Sequence, residues 1–195
     1  ALWERFVAIS RADAESIYDR LNVSFTSWHG ESFYHPRLPG VVESLVDAGL
    51  ARESDGAIAV FFEDIEQLAD KPFLVRKRDG AFLYATTDLA TIDYRTESYS
   101  PDQMIYVVDV RQSLHFRQLF ETARRRGVTC AMDHVGFGMM LGNDGRPFRT
   151  RDGGTITLAS LLDEAEARIL PLVQEKWPEE SEDTQRTIAS EVGIG

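Results

Sequence analysis

Cysteine, histidine and long apolar runs are scarce in this chain of 195 residues. The single Cys130 cannot form an internal disulfide, and one cysteine with four scattered histidines cannot build a cysteine-based metal site. No apolar run approaches the roughly 20 residues that span a bilayer, and no secretory signal is visible. We therefore expect a cytoplasmic protein with no membrane segment and no metal site.

Positive charge is also in short supply. Lysine and arginine total 21 against 32 aspartates and glutamates, which gives a net charge of −11. Such a balance argues against sequence-independent affinity for nucleic acid, whose phosphates attract cations. The charge is unevenly placed, because the segment 145–154 holds three arginines while the last third of the chain is acidic. The basic segment is a candidate for binding polyphosphate, and a solvated turn is the alternative.

A strand-to-helix junction holds the first candidate site residues. The apolar run 104–110 is typical of a parallel strand buried on both faces. The helical spacing of apolar residues in segment 113–126 predicts a helix that ends at Gly127. In open α/β sheets ligands bind at the carboxyl ends of strands, where Gln112 and His115 would project. Alternatively, Gln112 satisfies loop backbone and His115 packs against its own helix.

A second junction is predicted between residues 73 and 94. An Asp-Gly turn divides 73–85 into the two strands of a hairpin, and Thr86 or Thr87 is expected to cap a helix over 88–94.

Tyr84 and Asp88 come together at this second junction. Asp88 in a first helical turn could serve only the helix dipole. A carboxylate beside a phenol also suits a cationic ligand, because a guanidinium offers a planar fork of donors for two parallel hydrogen bonds.

The rest of the chain predicts mainly structural elements. A strand is expected over 57–62, and the three tryptophans are expected in the core or at interfaces. The predicted helices are 11–21 with Ser10 as its cap, 41–48, a long helix from 157 with a kink at Pro171, and 184–192.

Several motifs resemble those of arginyl-tRNA synthetases. Segment 83–90, LYATTDLA, resembles the arginine-pocket motif of that family, and 112–118, QSLHFRQ, resembles its next signature. Segment 137–155 is similar to the loop that carries a degenerate Lys-Met-Ser-Lys-Ser signature in bacterial members. Segments 30–34 and 53–57 also resemble the family, so the resemblance extends over essentially all 195 residues.

The resemblance implies a fold class and a domain organisation. The expected fold is α/β, the second half of a class I Rossmann-like catalytic domain with a parallel sheet flanked by helices. Residues 1–156 would belong to that domain, and 157–195 to a helical segment leading toward the anticodon-binding domain. None of the four histidines stands in the His-Ile-Gly-His motif of the first half. We therefore expect an excised piece that is inactive alone.

The resemblance also implies an activity and its residues. The parent enzyme would join L-arginine to tRNA(Arg) through an arginyl-adenylate, with Mg-ATP as substrate and no tightly bound cofactor. Tyr84, Asp88 and Gln112 would hold the arginine side chain. Arg149 and Arg151 would stabilise pyrophosphate, although Pro147 and Phe148 stand where Lys and Met are expected. The residues that would face ATP are His115, Phe137, Gly138, Met139 and Met140.

Two other functions stay open. The chain could be a free-standing remnant that binds arginine or ATP without catalysis, or an interaction module whose acidic helices dock a partner protein. The length of the encoding gene separates the enzyme from both alternatives.

Overall fold

Helices and strands alternate along the middle of the chain, and long helices occupy both ends. The computed structural model describes residues 2–138 and 157–195. The helices in these ranges are α1 (Leu2–Arg20), α2 (Glu31–Tyr34), α3 (Leu38–Asp47), α4 (Tyr84–Tyr99), α5 (Ser113–Arg125), α6 (Leu158–Lys176) and α7 (Glu182–Ile194). The strands are β1 (Ala51–Ser54), β2 (Ala57–Val60), β3 (Phe73–Arg76), β4 (Gln103–Asp109) and β5 (Ala131–Phe137), and short 3-10 turns cover His35–Arg37 and Val110–Gln112.

The described residues divide into two compact units. Residues 29–138 form the mixed unit, which holds all five strands of the described ranges. Residues 2–28 and 157–195 form the helical unit, which contains α1, α6 and α7.

Strands β1, β2 and β3 form an antiparallel sheet in the mixed unit. The β1–β2 turn consists of Asp55 and Gly56, both with positive φ, as a two-residue hairpin requires. The predicted strand 57–62 ends early, at Val60.

The predicted hairpin over 73–85 is wrong in its second arm. Its turn forms, but the second arm contributes one isolated bridge, between Arg76 and Phe82, because the chain enters α4 at Tyr84.

Helix α4 begins earlier than the sequence predicted. It starts at Tyr84 rather than at Asp88, so Thr86 and Thr87 lie within the helix and do not cap it. The buried Thr86 hydroxyl donates to the backbone carbonyl of Val75, which ties the first turn of α4 to β3. Because the Thr86 hydroxyl bonds β3, it does not act as a helix cap, and the threonine lies inside α4. This explains why the predicted start of the helix was wrong.

Strands β4 and β5 form a parallel pair, with Gln103 beside Ala131 and Asp109 beside Phe137. The prediction that β4 is buried on both faces is wrong. Met104 is buried, whereas Ile105 and Val107 are 56% and 65% exposed among the described residues. The following helix is confirmed: α5 buries Phe116, Leu119, Phe120 and Ala123, and the chain turns away at Gly127 with φ of +89°.

The core of the mixed unit lies between α3, α4, α5 and the antiparallel sheet. It is apolar, and its most deeply buried large side chains are Phe62, Leu45, Leu89, Ile92, Leu119, Val60 and Val75. This core fixes the positions of α4 and α5, and the predicted arginine-binding residues lie at the start of α4 and in the 3-10 turn just before α5.

The helical unit differs from its prediction at both ends. Helix α1 already begins at Leu2, although residues 11–21 were expected, and α7 covers Glu182–Ile194 with Ser181 as its cap. Helix α6 continues through Pro171. The tryptophans were expected in the core or at interfaces, and Trp3, Trp28 and Trp177 are all exposed within the described residues, so the core placement is wrong. No helix of the described ranges is long and apolar enough to cross a membrane.

Candidate active-site cleft

An open cleft of about 890 Å³ lies in the mixed unit. The loop into β3, the start of α4, the 3-10 turn after β4 and the first two turns of α5 line it, so it sits where strands end and helices begin. Its lining combines apolar and aromatic walls with a few polar groups, which is typical of small-molecule sites. The polar and charged lining residues are Tyr84, Asp88, Arg111, Gln112, His115 and Gln118.

Asp88 and His115 form the central contact of this cleft. Nε2 of His115 lies 2.6 Å from Oδ2 of Asp88, a short hydrogen bond between helices α5 and α4. The two partners differ in burial, because the His115 side chain is 9% exposed and the Asp88 side chain 35%. The carboxylate therefore faces the open cleft while the imidazole lies behind it.

Aromatic rings surround the imidazole of His115. The ring centroids of Tyr84, Phe73 and Phe116 lie 4.9, 5.5 and 5.3 Å from it, and they come from α4, β3 and α5. Packing from three elements restricts rotation of the histidine, so the Asp88 contact belongs to a well-defined wall of the cleft.

Two hydrogen bonds from buried side chains hold the walls of the cleft together. Gln118 is buried in α5 and donates from Nε2 to the backbone carbonyl of Lys71, 2.6 Å away. This bond joins α5 to the segment that leads into β3, just as Thr86 joins α4 to β3. The two bonds fix the helices that supply His115 and Asp88.

Asp109 shapes the turn that presents Gln112. Its Oδ1 accepts hydrogen bonds from the backbone N and the Nε of Arg111, and its Oδ2 accepts from Nη2 at 2.8 Å. The Arg111 guanidinium, chiefly through these side-chain hydrogen bonds, holds the pKa of the Asp109 carboxyl below its ordinary value. Because Arg111 is paired in this way, it opposes a cationic ligand less than a free arginine would.

The structure brings four of the predicted site residues together: Tyr84, Asp88, Gln112 and His115 all line the cleft. Phe137 ends β5 beside Asp109, at the same edge of the parallel pair, and Gly138 follows it. Neither of these two is among the described residues that line the cleft. Met139, Met140, Arg149 and Arg151 lie outside the described residues.

Two polar residues of the cleft were missed by the sequence reasoning. Gln118 follows His115 by three residues, and a second polar residue beside His115 on the mainly apolar face of α5 is the signal that could have indicated it. Arg111 directly precedes Gln112 in the chain, and only the three-dimensional structure brings it to the cleft mouth.

Residues 2–138 and 157–195 contain no group of three histidine, cysteine, aspartate or glutamate side chains placed to hold a metal ion. The cleft offers the Asp88 carboxylate, several neutral hydrogen-bonding groups and an aromatic wall, and Arg111, the one cation among its described lining residues, is paired with Asp109. This chemistry suits an organic cation with a planar donor group.

Comparison with known proteins decides the family. The model of the family "tRNA synthetases class I (R), catalytic domain" matches residues 1–195. The chain belongs to this family. The resemblance seen in its motifs and the predicted α/β fold class are therefore confirmed.

Curated relatives of this synthetase chain are arginine–tRNA ligases. The protein of Azotobacter vinelandii is 48% identical over 201 residues, and that of Pseudomonas savastanoi pv. phaseolicola is 50% identical over the same length. Each match covers 100% of this chain and 35% of the relative. The chain thus spans about a third of the length of these relatives.

Solved structures support the fold. The arginyl-tRNA synthetase of Plasmodium falciparum superposes with a TM-score of 0.82 at 23% identity, covering 99% of this chain and 32% of that one. A putative arginyl-tRNA synthetase of Campylobacter jejuni gives a TM-score of 0.58 at 15% identity, covering 87% and 46%.

Proposed function

We propose that this chain supplies the arginine-binding part of an arginine–tRNA ligase. The observation that carries the proposal is the cleft in which Asp88, Tyr84, Gln112 and His115 meet, in a chain of this family. The Asp88 carboxylate would pair with the substrate guanidinium, and Tyr84 and Gln112 would bond or pack against its side chain. The division into a catalytic part, 1–156, and a helical part, 157–195, belongs to the same proposal.

The proposed reaction has two steps. The arginine carboxylate attacks the α-phosphate of ATP, so arginyl-adenylate forms and pyrophosphate leaves. A ribose hydroxyl at the end of tRNA(Arg) then attacks the arginyl carbonyl, and AMP leaves. Such transfers depend mainly on positioning and on stabilisation of developing charge. Mg²⁺ would arrive with the phosphates of ATP, as is usual for nucleotide substrates.

The remaining residues of the proposal would serve ATP. Phe137 and Gly138, at the end of β5, would face the adenosine together with Met139 and Met140, while Arg149 and Arg151 would stabilise the departing pyrophosphate. Support for Phe137 comes from its pairing with Asp109, since this places the ends of β4 and β5 side by side. A site at the carboxyl ends of parallel strands suits a nucleotide.

The test is aminoacylation by the complete gene product. Its tRNA substrate is total tRNA of the same organism, supplied with ATP and one labelled amino acid at a time. We expect arginine to be attached, and neither lysine nor citrulline. Citrulline is the sharper control, because it keeps the shape of arginine and lacks the charge that Asp88 would pair with. Attachment of another amino acid, or none of arginine, would overturn the proposal.

A further inference from the structure

The contact between His115 and Asp88 is a tertiary contact. The two residues are 27 positions apart, on α5 and α4, and their side chains meet at 2.6 Å. A carboxylate only accepts hydrogen bonds, so Nε2 of His115, which faces it, is the donor in this contact. The bond therefore occupies part of the acceptor capacity of Oδ2 and leaves Oδ1 for other donors.

The imidazole of His115 is held more firmly than the carboxylate that it contacts. It is buried and lies against the rings of Phe73, Tyr84 and Phe116. The Asp88 side chain is about a third exposed and lines the cleft. A free aspartate at such a position would rotate among several orientations, and binding a ligand would cost the entropy of fixing one.

We propose that His115 is a positioning residue: it fixes the orientation of the Asp88 carboxylate so that the remaining oxygen is presented to the guanidinium of arginine. This inference rests on the proposed function, because it assumes that Asp88 pairs with the substrate. It differs from the role that the motif resemblance implied for His115, which was contact with ATP. The Nε2 atom is engaged by Asp88, and its surroundings are the residues of the arginine cleft.

The experiment compares two substitutions of His115 in the complete gene product. His115→Leu removes the donor, whereas His115→Gln keeps an amide nitrogen the same number of bonds from the backbone as Nε2. Steady-state aminoacylation yields the KM for arginine and the KM for ATP in each variant. Because a hydrogen bond to a charged group contributes strongly to binding, its loss in His115→Leu should raise the KM for arginine about 10-fold or more. The KM for ATP should change less than about 2-fold, and His115→Gln should recover most of the loss.

His134→Leu is the matched control. His134 is also partly buried and stacks on Phe116 at 4.5 Å, but its Nε2 bonds the backbone carbonyl of Val108. A general effect of losing a histidine packed against Phe116 would appear in this variant as well. We expect its KM for arginine to stay within about 2-fold of the wild-type value.

The outcomes separate this inference from the proposed function. If Asp88→Asn leaves the KM for arginine unchanged, the arginine cleft itself is refuted. If Asp88→Asn raises it while His115→Leu does not, or if the His115 effect falls on ATP, only the positioning role is refuted. In the Asp88→Asn background, His115→Leu should add little, because both changes act on one interaction. Should His115→Leu fail to fold, His115→Asn replaces it, since its shorter amide falls short of Asp88.

Discussion

The helices of the mixed unit and those of the helical unit differ in how many side chains they bury. Helix α5 of the mixed unit buries seven side chains, while α1 of the helical unit buries none and α6 and α7 bury two each, within the described residues. The helical unit also relies on exposed or half-exposed ion pairs, such as those of Arg20 with Asp163 and Glu166.

This difference in burial indicates which unit can hold side chains in fixed positions for binding. A binding cleft requires its polar groups to be held by rigid, well-packed elements. The mixed unit supplies such elements, because the buried side chains of Thr86 and Gln118 bond α4 and α5 to β3 and its preceding segment. The cleft and the dense core therefore occur in the same unit.

The largest expected effect comes from a cavity in the mixed unit. Leu119 is fully buried in α5, so Leu119→Ala should lower the free energy of unfolding by about 3 kcal/mol. Its counterpart in the helical unit is Leu172→Ala, where the side chain is 59% exposed and the cost should stay below about 0.5 kcal/mol. Urea unfolding of both variants measures the two costs, and equal losses would contradict the contrast between the units.

A smaller loss is expected at Gly136 of β5. A Cβ at this position would lie 3.2 Å from the backbone Cα of Val110, in the turn that presents Gln112. Gly136→Ala should therefore cost about 1–3 kcal/mol. A Cβ added at Gly40 in α3 would have no atom within 4 Å, so Gly40→Ala should be neutral or slightly stabilising. Thermal denaturation distinguishes the two, and a Gly136 variant as stable as the Gly40 variant would refute the tight contact.

Buried and exposed ion pairs should differ in the same way, with a loss for the buried pair similar to that at Gly136. Arg126, which directly follows α5, donates two hydrogen bonds to Asp93 of α4, and both side chains are mostly buried. Arg126→Met should cost about 1–3 kcal/mol, because it leaves a largely buried carboxylate without its partner. Arg168→Met removes the exposed pair with Glu164 on α6 and should cost less than about 0.5 kcal/mol. Urea unfolding measures both losses, and equal values would show that the difference in burial has no energetic meaning.

The least disruptive test concerns the pKa of Asp109. Because Arg111 lowers that pKa, the interaction stabilises the folded protein above the ordinary carboxyl pKa, and it is lost as the pH falls through the lowered value. NMR titration of the carboxyl carbon should give a pKa below the usual value of about 4. In Arg111→Ala the pKa should return toward the ordinary value, and an unchanged titration would show that Arg111 is not the cause.

Local sequence patterns predicted the elements whose formation depends on the spacing of neighbouring residues. The apolar spacing of Phe116, Leu119 and Phe120 indicated α5, and the motifs around Asp88 and Gln112 indicated residues that do meet in one cleft. Tertiary effects explain the errors. Thr86 bonds a strand instead of capping α4, and the burial of β4 depends on which surfaces cover it rather than on its own composition. The His115–Asp88 bond joins residues of two separate motifs, and no spacing rule links them.

The central claim is that Asp88 pairs with the guanidinium of arginine. Asp88→Asn keeps the shape of the side chain and its ability to accept from His115, but removes the charge. Calorimetric titration of the complete gene product should show arginine affinity lower by about 30-fold or more, as expected when one side of a charged pair is lost. ATP affinity should barely change, and Asp47→Asn, at an exposed position in α3, should change neither. An Asp88→Asn variant that binds arginine as tightly as the wild type would contradict the account.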